Sequence, residues 1–375
     1  MKLTAGGVCA AKGFQASGVH CGIRKNQTKK DLALIFSEVP AKAAAVYTTN
    51  AVKGAPLLVT KQHLENGMAQ AVICNSGNAN TCNANGVEIA EQMCALVSEQ
   101  LHIDAKDVLV ASTGVIGKVL DIQPIAEGIP PLVKSLGMNS KDAAHAIMTS
   151  DTTIKEIAVE FEVGGVVCRL GGIAKGSGMI HPDMATMLVF LTTDCAISAQ
   201  MLKKALSSDV TQTFNMLSID GDTSTNDMVT VMANGLAGNA EISEEGEAFD
   251  TFMKELNTVT VHLCRSIAAD GEGATKLLEC VVTGAVDEAQ AKIAAKSVVC
   301  SSLLKAAMFG ADANWGRVLC ALGYSKAGID PQPWMFPSAQ KRAKSSFVKR
   351  GQALISARKR RKKFCWKAKL KFSSA

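Results

Sequence analysis

Lys175-Gly-Ser-Gly-Met-Ile-His-Pro-Asp-Met-Ala-Thr186-Met-Leu-Val-Phe-Leu191 is a run of small, polar and turn-forming residues that ends at a threonine opening an apolar strand. Gly176, Ser177 and Gly178 make its first half pliable, Pro182 restricts its path, and the small Ala185 leaves the carbonyl before Thr186 open to attack by the threonine hydroxyl. A threonine at the start of a strand is more often only a β-former. As a nucleophile it needs a base. Breaking the chain just before it supplies one, because the freed α-amino group has a reference pKa of about 8. The stretch therefore reads either as a loop entering a strand or as a self-processed nucleophile, and the rest of the chain has to decide.

Outward from this stretch, 157–162 and 165–170 form a hairpin pattern around glycine, 187–192 a strand, 198–216 a helix and 220–227 a polar loop. Beyond lie a strand at 228–232, a helix at 244–268, a strand at 277–282, a helix at 288–308 and a last strand at 317–324. Upstream, 32–36, 43–47 and 56–59 read as short strands, 71–74 as a buried strand, 87–101 as a helix and 107–112 as a strand delivering Thr113-Gly-Val-Ile-Gly117. Strands come in adjacent groups with long helices between them, which predicts an α/β (α+β) fold of layered sheets flanked by helices. Strict βαβ alternation and a Gly-x-Gly-x-x-Gly turn are both absent, which disfavours a doubly wound dinucleotide fold.

The composition, 47% hydrophobic and 20% charged over 375 residues, is that of a soluble globular protein with ample core. Its net charge of +6 is misleading, because 341–371 alone holds 14 Lys or Arg and no Asp or Glu follows Asp330. Residues 1–330 carry 26 basic against 34 acidic residues, a net of −8, so the globular part is acidic. The 12 cysteines form no CxxC pair, and the N-terminus shows neither a secretory apolar region nor a membrane span, so a cytoplasmic protein is expected. The six histidines make no ligand-spaced pair, so no metal is expected. His181 and Asp183 straddle a proline too closely for a protease-like pair.

Two further positions attract attention. Thr113-Gly114 ends a strand among glycines, where backbone N–H groups can face a developing oxyanion or simply form a tight turn. Lys175 and Glu272 are charges in glycine-rich loops that either grip the two ends of a zwitterionic substrate or stay solvated.

Seven ordered motifs carry a resemblance: 6–14, Ala45-Val-Tyr-Thr-Thr-Asn50, Asn75-Ser-Gly-Asn-Ala-Asn80, Ser112-Thr-Gly-Val-Ile-Gly117, 175–188, Asp270-Gly-Glu-Gly-Ala-Thr275 and Phe309-Gly-Ala-Asp-Ala-Asn-Trp-Gly-Arg317. Over residues 1 to about 327 they resemble the glutamate N-acetyltransferase (ornithine acetyltransferase) family of arginine biosynthesis, often bifunctional with amino-acid N-acetyltransferase activity. The resemblance implies self-cleavage between Ala185 and Thr186 into chains 1–185 and 186–329 of one folded unit, assembled as a heterotetramer of two of each. It also implies Thr186 as the acetyl-accepting nucleophile, Thr113 and Gly114 as the oxyanion hole, and Thr152, Lys175, Thr186 and Glu272 as substrate contacts. N2-acetylornithine and glutamate are the implied substrates, no cofactor is bound, and acetyl-CoA enters only as an alternative acetyl donor. A self-processed aminopeptidase-like hydrolase is the enzymatic alternative.

The end departs from the pattern. Beyond Asp330 the chain is acid-free and basic, no Asn follows Asn314, and the segment 330–375 reads as a frameshifted or disordered tail. A nucleic-acid arm is the competing reading, but the acidic body and the scarcity of interleaved aromatics oppose it, and no membrane partner is expected.

Overall fold

The computed structural model describes residues 1–181, 187–312 and 314–328, and the backbone of 352–356 and 367–374. Ala185, Thr186 and most of the basic tail lie outside the described residues. The chain divides into two compact units, Met1–Asn215 with Asp222–Ile267, and Met216–Gly221 with Ala268–Ala375.

In chain order the first unit contains β1 (Lys2–Thr4), β2 (Phe14–Val19), β3 (Leu32–Tyr47), α1 (Ala55–His63), β4 (Met68–Asn75), α2 (Gly86–Leu101) and β5 (Val108–Ser112). There follow α3 (Gln123–Lys134), α4 (Ser140–Ala146), β6 (Lys155–Val163), β7 (Val166–Lys175), β8 (Leu188–Thr193), α5 (Ala199–Val210), β9 (Met228–Ala233) and α6 (Glu247–Ala269). Its strands join one nine-stranded mixed sheet in the order β1-β6-β7-β8-β9-β3-β4-β5, with β2 also paired to β3. Only β4–β5 and β8–β9 run parallel. The expected mixed sheet with flanking helices is thus present, without doubly wound order.

Successive residues of the central strands face opposite cores. Ala33, Ile35, Val72, Cys74, Leu109 and Ala111 join one cluster, and Leu32, Leu34, Ala71, Ile73, Val108 and Val110 the other. Ala143 and Ala146 of α4 pack into the first cluster, and Met93 and Val97 of α2 with Ile125, Ile129 and Leu132 of α3 into the second. Covered on both faces, the strands have no polar side, which is why they read as continuous apolar runs. The β6–β7 hairpin closes on Gly164 and Gly165 with φ of 58° and 82°, the left-handed pair that a two-residue turn of matching twist requires.

In the second unit β10 (Lys276–Thr283) precedes α7 (Glu288–Val299), α8 (Ser302–Phe309) and α9 (Trp315–Gly323). The backbone of β11 (Gln352–Ser356) and β12 (Lys367–Ser374) completes a three-stranded antiparallel sheet in the order β10-β12-β11. Val298, Leu304, Met308, Val318 and Leu322 belong to the core of this unit.

Several expectations need correction. Residues 56–59 lie in α1, where Pro56 occupies the first turn and Leu57, Val59, Thr60 and His63 are buried at helical spacing. Residues 317–323 lie in α9, with Tyr324 as its C-cap, rather than in a strand, because the Asn314 side chain accepts from Arg317 N at 3.2 Å and Val318, Ala321 and Leu322 face inward together. The helix expected over 288–308 is two helices, since Ser301 leaves the helical path and caps α8 by accepting from Leu304 N.

Candidate active site

The parallel strands β4 and β5 end side by side, and their exit loops are tied together. Asn75 donates to Ser112 Oγ at 2.7 Å, and its Oδ1 accepts from the backbones of Gly77 and Asn78. Thr113 N donates to Asn75 O at 2.9 Å. From the loop before β9, the Asn226 amide donates to Ala79 O (2.6 Å) and Ser112 O (3.0 Å). These bonds hold Gly114 at φ 127°, a conformation that L side chains rarely adopt. An added Cβ there would sit 2.7 Å from the Gly77 carbonyl carbon.

Lys175 ends β7, and its Nζ donates to Thr113 Oγ1 at 3.2 Å. Two residues from separate stretches of sequence thus meet at one point. Lys175 is buried, and burial pulls its pKa down while Asp151 and Asp227 push it back up. Asp151 accepts from Lys155 Nζ at 2.7 Å, from Gly176 N at 2.6 Å and from Thr149 N at 3.0 Å, and both side chains of the Lys155 pair are fully buried. Burial alone would raise the Asp151 carboxyl, but Lys175, Lys155 and these hydrogen bonds bring it below its ordinary value. Asp227 is the reverse case: burial raises its carboxyl well above the ordinary value, only partly offset by Lys175 and Ser224.

Thr152 is exposed, directly after Asp151. Glu272 belongs to the second unit, where it is exposed and lines a cavity of about 370 Å³ together with Lys276, Lys305 and Phe309. Ala185 and Thr186 lie outside the described residues, on the connection between β7 and β8. His181 is half-buried, with its carbonyl accepting from Thr223 Oγ1 at 2.7 Å. Sequence reasoning missed Asp151, Lys155 and Asp227. The adjacency of Asp151 to Thr152 was the available signal for the first, whereas Asp227 was only the end of a polar loop.

A buried ammonium flanked by buried carboxylates, at the lip of a forced glycine turn, is an arrangement suited to binding small charged molecules and makes this the candidate active site. The chain belongs to the ArgJ family, whose model matches residues 15–372. It is 50% identical over 333 residues to the arginine biosynthesis bifunctional protein ArgJ of Listeria monocytogenes serovar 1/2a, covering 88% of this chain and 83% of that protein. The protein of the same name from Symbiobacterium thermophilum is 51% identical over 334 residues, again 88% and 83% of the two chains. Among solved structures, ornithine acetyltransferase from Mycobacterium tuberculosis complexed with ornithine is 38% identical with a TM-score of 0.45, covering 49% of this chain and 99% of that one. No helix among the described residues is long and apolar enough to cross a membrane.

Proposed function

We propose that this enzyme moves the acetyl group of N2-acetylornithine to glutamate through an acetyl-Thr186 intermediate, releasing ornithine and N-acetylglutamate. The observation that carries the reading is the buried Lys175 ammonium, 3.2 Å from Thr113 Oγ1 beside the Gly114 turn, in a chain about half identical to ArgJ proteins of arginine biosynthesis.

Thr186 Oγ first attacks the Ala185 carbonyl and displaces its own nitrogen, giving an ester and a free amine, and water then hydrolyses the ester, leaving a carboxylate on Ala185 and Thr186 as a new N-terminus with its hydroxyl restored. The β7–β8 ladder, from Leu170 opposite Thr193 to Lys175 opposite Leu188, supports continued association, because it joins the two sides of the cut within one sheet. The freed α-amino group then takes the Thr186 hydroxyl proton as Oγ attacks the acetyl carbonyl, and passes it to the departing ornithine nitrogen. Thr113 and Gly114 stabilise the oxyanion. The glutamate amine attacks the resulting ester, with the same amino group taking and returning the proton.

Lys175 receives the α-carboxylate of each amino acid, while Thr152 and Glu272 keep the substrate-contact roles implied by the resemblance. Acetyl-CoA is a second acetyl donor. The pieces assemble two by two in the cytoplasm, a location supported by the described cysteines all being free. Denaturing intact-mass analysis should find pieces of 185 and 190 residues, and only the full chain in Thr186→Ala. A single intact chain in active protein refutes the assignment.

A further inference from the structure

The oxyanion role of Thr113 and Gly114, on which this inference rests, requires their turn to be held still, and one buried side chain brackets it. Asn226 is 5% exposed, and its amide is saturated. Nδ2 donates to Ser112 O at 3.0 Å and to Ala79 O at 2.6 Å, while Oδ1 accepts from Thr81 Oγ1 and Thr225 Oγ1, each at 2.6 Å. With two carbonyls facing the nitrogen and two hydroxyls facing the oxygen, a single amide orientation satisfies all four contacts.

The two carbonyls stand at the two ends of the turn. On the entry side, the planar Ser112–Thr113 peptide is gripped at both polar ends: its C=O accepts from Asn226, and its N–H donates to Asn75 O at 2.9 Å. On the exit side, Ala79 takes the other amide proton on its carbonyl and donates its own N–H to Val115 O at 2.9 Å. One amide thus fixes the residue before Thr113 and, through Ala79, the residue after Gly114. Asn226 lies downstream of the Ala185–Thr186 bond, whereas Ala79, Thr81, Ser112 and the turn itself all lie upstream of it.

We propose that Asn226 is the positioning residue of the oxyanion turn: through one amide, the piece that begins at Thr186 aligns the Thr113–Gly114 turn carried by the other piece. Asn226 touches no reacting atom and moves no proton; it acts through the peptide that leads into Thr113 and the one that follows Gly114. Gly54 belongs to the same arrangement. A Cβ at position 54 would sit 2.4 Å from Asn226 Nδ2 and 2.8 Å from both Asn226 Cγ and Thr81 Oγ1. Its φ of −64° and ψ of 141° nevertheless suit alanine. Gly54→Ala therefore pushes the amide aside without straining its own backbone.

The test combines single-turnover acetylation of the processed enzyme by N2-acetylornithine with calorimetric binding of L-ornithine. Asn226→Asp keeps the shape and the acceptor oxygen but removes both donors, and the acetylation rate should fall about 100-fold, the scale of a misplaced catalytic group. The ornithine dissociation constant, set by the Lys175 anchor, should stay within about threefold, a split that general loosening of the fold would not produce. Gly54→Ala should slow acetylation about tenfold, and the double variant should be no slower than Asn226→Asp alone, because both changes act on one amide. An Asn226→Asp rate within about threefold of wild type, a parallel loss of rate and ornithine affinity, or fully additive effects in the double variant overturns the inference. If Asn226→Asp does not give folded, processed enzyme, Gly54→Ala decides, and an unchanged rate there overturns it. Absence of acetylation in wild type is a different outcome, which removes the acetyl-transfer reading and this inference with it.

Discussion

Replacing Gly114 by alanine challenges the proposed oxyanion turn at its tightest point. The backbone φ of 127° is one that alanine rarely adopts, and the new Cβ would lie 2.7 Å from the Gly77 carbonyl carbon and 2.8 Å from Asn78 N. An ordinary carbon contact is about 3.5 Å, so the turn must open by roughly 0.8 Å. Gly77 and Asn78 are pinned by Asn75 Oδ1, which leaves residue 114 as the part that moves. The conformational strain is on the order of 1–3 kcal/mol, which should lower the melting temperature by several degrees. Losing one aligned oxyanion donor should reduce kcat about 100- to 1,000-fold.

Gly117→Ala is the control, because Gly117 also has positive φ (75°) but nothing within 4 Å of its Cβ position. It should lose stability while keeping kcat within about threefold, under 1 kcal/mol of barrier. Steady-state acetyl transfer and thermal melting of both variants decide the matter. Gly114→Ala with near-normal kcat, or an equal loss in Gly117→Ala, would refute the reasoning.

Lys155→Met removes from the fully buried Asp151 the ammonium bonded to it, leaving only Lys175 to offset its charge, and a loss of about 3 kcal/mol is expected in urea unfolding; an unchanged midpoint contradicts the buried pair. Asp151, held below its ordinary pKa, contributes stability that is present above about pH 4 and lost as pH falls through its folded value. Asp227, raised by burial, has the opposite sign: its contribution is full below about pH 4 and declines as pH rises through its raised folded value. Asp227→Asn should therefore melt above wild type at neutral pH and near it at pH 4 or so, as scanning calorimetry can establish; wild type melting higher at neutral pH would oppose this.

Local chemistry explains which parts of the fold were legible. The α2 periodicity, the doubly buried strands β4 and β5 and the Gly164-Gly165 hairpin each carry their signal within a few residues. The apolar run 318–322 does not, since a short run suits a strand or a buried helix equally, and the Asn314 cap decides. Helix α3 was hidden by Pro130 and Pro131, which ordinarily break helices, yet Ile125, Ile129 and Leu132 bury a face and Gly128 lets it approach Cys21 closely. In the candidate site, Thr113, Gly114 and Lys175 drew notice because glycines mark their loops, while their roles came only from the resemblance. Asp151, Lys155 and Asp227 look like ordinary polar residues until the sheet buries them together.

The central claim is that Thr186 carries the acetyl group. Incubating processed enzyme with N2-acetylornithine alone, then sequencing peptides by mass spectrometry, should find one acetyl group on Thr186, lost on adding glutamate with matching release of N-acetylglutamate. Steady turnover with Thr186 unmodified, or an acetyl group that leaves at the same rate with water as with glutamate, would contradict the account.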